Sequence, residues 1–169
     1  MDKKAFLMKG KPNLKNNQAK YRKAFQRDFD IMKDIATNQG YQIQEVNSEN
    51  ILNEIKKYPT MGNILFYYIG HAKNGIFDGK SINELSDILM SKQGKKLIIL
   101  DSCAGGNRIE TLCLPRDSKL VTANEVPLNK SIAMLLWDYI YAYKGNLENL
   151  NKNVFENMKH HWVYFKETK

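Results

Sequence analysis

The chain has 169 residues, 43% hydrophobic and 11% aromatic, which suits a single domain over residues 1–169 and excludes wholesale disorder. No apolar run approaches the length of a membrane span, and residues 5–8 are too short an apolar stretch for a secretory signal, so a cytoplasmic protein is expected. The formal net charge of +8 arises from cations interleaved with acids, as in Lys20-Tyr21-Arg22-Lys23-Ala24-Phe25-Gln26-Arg27-Asp28, with no nucleic-acid motif beside them; it reads as a solvated basic surface rather than a specific nucleic-acid site.

Strand-like and helix-like segments alternate along the chain. Residues 5–8 form a short apolar first strand, and residues 10–17, with Pro12, a loop. Residues 17–38 are predicted helical, because Tyr21, Phe25, Phe29, Met32 and Ile35 recur at spacings of three and four; Gly40 ends the helix. A strand at 41–46 and a short helix at 48–58, carrying Ile51, Leu52 and Ile55, follow. Residues 64–69 are an unbroken apolar run rich in aromatic and β-branched types, the pattern of a strand covered on both faces.

Ser81-Ile82-Asn83-Glu84 is a capping box that opens a helix with Leu85, Ile88 and Leu89 inward. Residues 97–100 form a second fully buried strand and 120–123 a fifth strand. Helices are predicted at 131–143, with Leu135, Leu136, Tyr139 and Ile140 inward, and at 147–159, before a last strand at 162–165. The alternation predicts an α/β fold, a mostly parallel sheet with helices on both faces.

Two cysteines, Cys103 and Cys113, are too few for a disulfide framework, and neither has zinc-ligand spacing to another cysteine or to His160 and His161. No metal or other cofactor is expected. In open α/β sheets functional groups gather beyond the carboxyl ends of the strands. One buried strand here ends Ile69-Gly70-His71, and the next ends Leu100-Asp101-Ser102-Cys103-Ala104-Gly105-Gly106. A thiol beside an imidazole is the minimal machinery of nucleophilic catalysis, and glycines after the thiol leave backbone amides open to an oxyanion. A cysteine phosphatase is set aside, because it needs five residues between cysteine and arginine, whereas Cys103 and Arg108 enclose four.

Phe66-Tyr67-Tyr68-Ile69-Gly70-His71 and Leu97-Ile98-Ile99-Leu100-Asp101-Ser102-Cys103-Ala104-Gly105-Gly106 resemble the paired histidine and cysteine motifs of caspase-like peptidases, nearest to the metacaspase and bacterial caspase-homologue group. The resemblance implies a caspase-like three-layer sandwich around a six-stranded, mostly parallel sheet with an antiparallel last strand. It implies His71 and Cys103 as the catalytic dyad, and the backbone amides of Cys103 and Ala72 as the oxyanion hole. Asp101 matches the acid of the S1 pocket that selects arginine or lysine, and Glu125 stands as a second acid. A protein or peptide is the implied substrate, with Arg108 and Arg116 as candidate self-cleavage sites. A homodimer or a regulatory protein partner is left open.

The sequence departs from the family pattern at Ala72, where glycine is usual, and at Ala104-Gly105-Gly106, where His-Ser-Gly or similar is common. The connection after the cysteine is also short, about residues 104–118, and this together with Ala72 keeps a second reading open, a catalytically silent caspase-like module that binds a partner. Cys113 reads as structural, and Asp101 has the alternative reading of a cap on the turn that follows it.

Overall fold

The computed structural model describes residues 2–11, 18–73, 75–102, 114–123, 130–160 and 162–169. The first half contains β1 (Lys3–Lys9), α1 (Gln18–Asn38), β2 (Gln42–Val46), α2 (Ile51–Lys57) and β3 (Asn63–Ile69). Three two-residue strands follow, β4 (Ala72–Lys73), β5 (Ile76–Phe77) and β6 (Lys80–Ser81), and lead into α3 (Ile82–Leu89). The second half contains β7 (Lys96–Asp101), β8 (Ser118–Ala123), α4 (Ile132–Trp137), α5 (Lys152–Asn157) and β9 (Val163–Glu167).

The main sheet has six strands in the order β2-β1-β3-β7-β8-β9. Neighbours run parallel except β9, which is antiparallel to β8. Strand alternation divides its side chains into two cores. Ala5, Leu7, Leu65, Tyr67, Ile69, Leu97, Ile99 and Val121 pack with α1, α4 and α5. Phe6, Met8, Ile64, Phe66, Tyr68, Ile98, Leu100 and Leu120 pack with α2 and α3. These are the three layers expected from sequence. Full burial of each Leu, Ile or Phe contributes about 1.5–3 kcal/mol, so β3, with all but its first residue buried, is the spine of both cores.

The helix ends follow their capping chemistry. Gly40 adopts φ +87°, and the Tyr41 amide donates back to the Ala36 carbonyl at 2.9 Å, closing α1 as Gly40 predicts. The Ser81–Glu84 capping box is formed in full. The helix predicted from residue 48 begins instead at Ile51, because the Asn47 side chain accepts from the Glu49 and Asn50 amides and holds a turn there. The helix predicted over 131–143 is α4 continued by a π-helical segment, Asp138–Ala142. The helix predicted over 147–159 divides into a 3-10 turn, Leu147–Asn149, and α5, because Asn146 and Asn151 each cap a separate start. Sequence reading also missed the β4–β5–β6 meander. Its Asp78-Gly79 turn, with φ of +50° and +81°, is a tight hairpin connection between Phe77 and Lys80.

Candidate active site

Two adjacent parallel strands deliver the candidate residues to one edge of the sheet. β3 and β7 pair in register from Ile64–Lys96 to Ile69–Asp101. The Gly70 amide extends the ladder by donating to the Asp101 carbonyl at 3.4 Å. His71 thus lies two residues beyond the last pair on β3. Cys103, its expected partner, lies outside the described residues, as do Arg108, Cys113 and Glu125.

His71 is exposed, and its ring stands edge-on to two aromatic rings of α1: Tyr21 at 5.3 Å and Phe25 at 5.5 Å between centroids. The sequence places Tyr21 on the buried face of α1, but it is 39% exposed and serves the histidine instead of the core. The backbone of His71 is held from below. The Tyr68 hydroxyl donates to the His71 carbonyl at 2.7 Å. That phenol fills the space left by two glycines, since a Cβ at Gly10 or Gly70 would collide with it. Gly10 is itself fixed by its amide, which donates to the Ile69 carbonyl at 2.8 Å. Burial pushes the Tyr68 phenol well up, so it remains a donor at all ordinary pH.

Asp101 is buried on the opposite face from Tyr68, and its carboxylate accepts three hydrogen bonds from described residues. The Tyr67 hydroxyl donates to Oδ2 at 2.7 Å, the Ala133 amide to Oδ2 at 3.0 Å and the Ile132 amide to Oδ1 at 2.9 Å. One carboxylate therefore ties the end of β7 to β3 and to the first turn of α4. Asp101 acts as a cap on the first turn of a helix about thirty residues on; the turn that follows it in the chain lies outside the described residues. Burial raises its pKa to about 6, against the lowering effect of the three hydrogen bonds. Tyr67, fully buried beside this carboxylate, is pushed well above its ordinary range.

Ala72 opens β4, registered on Phe77, directly after the histidine. Arg116 lies elsewhere. It is exposed at the turn before β8, its carbonyl accepts from Lys96 Nζ at 2.9 Å, and Ser118 pairs with Lys96 at the amino end of β7. Lys96 and Asp101 stand at opposite ends of β7, a span of about 17 Å. Ser102, next in the chain after Asp101, is buried, and its hydroxyl has no hydrogen-bond partner among the described residues. Among the described residues no group of His, Cys, Asp and Glu could hold a metal ion, and no helix is long and apolar enough to cross a membrane.

Sequence reasoning treated Tyr67 and Tyr68 as core packing and missed their hydroxyl contacts. The signal was available, because a tyrosine in a fully buried strand needs a partner for its hydroxyl. No family model and no curated protein sequence matches the chain. Among solved structures it is similar to the crystal structure of caspase-1 from Spodoptera frugiperda, with a TM-score of 0.66 and 12% sequence identity over 99% of this chain and 88% of that one. The chain has the caspase-like fold: a six-stranded, mostly parallel sheet between two helical layers.

Proposed function

We propose that the chain is a cysteine endopeptidase of the metacaspase or bacterial caspase-homologue type, cutting peptide bonds after a basic residue. The observation that carries this reading is the Ile69–Asp101 pair at the carboxyl edge, with the Gly70 amide on the Asp101 carbonyl. His71 follows one member of that pair by two residues, and in sequence Cys103 follows the other by two. The caspase-like fold adds support, as folds of this kind put function at the carboxyl ends of their strands.

In this mechanism the Cys103 thiolate attacks the scissile carbonyl carbon and forms a tetrahedral oxyanion, held by the amides of Cys103 and Ala72. The intermediate collapses to a thioester as the C–N bond breaks, and His71 gives a proton to the departing amine. Water then attacks the thioester, His71 takes its proton, and the thiolate leaves. The edge-on contacts with Tyr21 and Phe25 restrict the ring, while the Tyr68 hydrogen bond restricts the backbone that carries it.

Basic selectivity is assigned to Asp101, with Glu125 as a second acid. Among described partners Oδ1 holds one hydrogen bond and Oδ2 two. Self-cleavage is proposed at Arg108 and Arg116. A cut at Arg116 requires a second molecule, given its place at the far edge of the sheet.

The test is a cysteine-reactive peptide probe with arginine at P1, matched with an aspartate probe, and mass spectrometry of the adduct. The expected result is labelling of Cys103 by the arginine probe, absent in Cys103→Ala and weaker with aspartate. A Cys103 that neither probe labels supports instead the silent binding module, which Ala72 and the short connection after the cysteine favour.

A further inference from the structure

Beside His71, on the side away from β7, an open cavity of about 900 Å³ runs along α1. Lys9, Arg22, Lys23 and Arg27 stand around it, Phe25 and Ile31 line its apolar part, and Asp30 is the one acid among its described lining residues. Two residues of its wall also meet the candidate active site. Phe25 touches the His71 ring, and Gly10 abuts both Gly70 and the Tyr68 phenol.

Lys9 Nζ donates to Gln26 Oε1 and lies 5.4 Å from the Phe29 ring centre, and Arg27 pairs with the buried Asp28 at 3.1 Å. The carboxylate of Asp30 takes its hydrogen bond from Gln26, at 2.8 Å. Lys23 and Arg27 are four apart on the helix, a like-charge spacing that opposes helix formation.

We propose that this cavity is a subsite for acidic residues of the peptide substrate on the leaving-group side of the scissile bond. The placement rests on the peptidase reading. If His71 protonates the departing amine, the chain beyond that amine continues past His71, toward α1. The charge is complementary to glutamate or aspartate, and the apolar lining accommodates their methylene stems and a neighbouring apolar side chain. A single nucleic-acid strand fits less well, because Phe25 is 8% exposed and offers no open ring face on which a base could stack.

The test takes full-length Cys103→Ala protein and a fluorescent peptide in which one arginine is followed by an alanine and two glutamates, matched with the same peptide bearing two lysines. Anisotropy should show the glutamate peptide binding about fivefold more tightly at low salt, with the preference lost at high salt. Arg22→Ala and Lys23→Ala should each reduce the preference, and Arg22→Glu with Lys23→Glu should reverse it. Equal binding of the two peptides, or a preference that survives the charge swap, overturns the subsite. Tighter binding of a single-stranded oligonucleotide than of the glutamate peptide overturns the choice of occupant. Cleavage of the same peptides by the unsubstituted protein should follow the same order in kcat/KM. Binding with the expected order but no cleavage would sink the peptidase reading while leaving the acidic-peptide site standing.

Discussion

Replacing Asp101 by asparagine keeps the shape of the side chain and removes its titration. In the native fold, burial raises the Asp101 carboxyl from 3.8 to about 6, although Tyr67, Ile132 and Ala133 all donate to it. A carboxyl with a folded pKa above its unfolded one holds its proton more tightly in the folded state. Its contribution to stability is therefore fully present below about pH 3.8 and is lost as pH rises through about 6. The difference between the two values corresponds to roughly 3 kcal/mol, of which about 2 kcal/mol disappears between about pH 4.5 and pH 7.5. Asp101 is 5% exposed, so screening by solvent does little to reduce this figure. Urea unfolding of the native protein and of Asp101→Asn at both pH values isolates the effect, because every other titration cancels in the difference. The stability of the native protein relative to the variant should fall by about 2 kcal/mol on going to the higher pH. A difference that stays constant, or that grows with pH, would mean that the three donors outweigh burial and hold the carboxyl ionised.

Tyr68→Phe should cost about 1 kcal/mol through the lost hydrogen bond to the His71 carbonyl. Gly10→Ala, which drives a Cβ into the same phenol, should cost about 1–3 kcal/mol, and less in the Tyr68→Phe background. Thermal unfolding of the two single variants and the double would show that coupling; strict additivity would mean that the phenol and Gly10 do not share the space. Cys103→Ala and His71→Ala should each abolish peptide cleavage with the circular dichroism spectrum retained, whereas Cys113→Ala should keep most of the activity. Equal losses from Cys103→Ala and Cys113→Ala would show that the wrong thiol has been assigned.

The fold was legible wherever one local signal and one burial pattern agreed. The run 64–69 had to be a doubly covered strand, and Gly40 and the Ser81–Glu84 pair stated their helix ends outright. Boundaries were misread where asparagines competed for the backbone, at Asn47 and at Asn146 and Asn151, because side-chain hydrogen bonds there outweigh hydrophobic periodicity. The meander after His71 was missed for the opposite reason: its strands are too short for any period, leaving only the turn residues to announce it. For the candidate site, the sequence located His71 at a strand end but not its supports. Tyr21 lies fifty residues away and Gly10 sixty-one, so only the folded sheet reveals that they meet the histidine or its backbone.

The neighbouring tyrosines at the end of β3 join core stability to site geometry. Strand alternation sends Tyr67 to the face packed by α1 and α4 and Tyr68 to the face packed by α2 and α3. If apolar packing were the only requirement, phenylalanine would serve at both positions without burying a hydroxyl, which is costly unless partnered. Each hydroxyl instead finds its acceptor at the carboxyl edge: Asp101 on one face and the His71 carbonyl on the other. The last residues of β3 are thereby anchored above and below the sheet, and Asp101 carries the anchor across to the first turn of α4. An edge held on both faces can present an exposed imidazole in a fixed direction, even though that imidazole contributes little to the core.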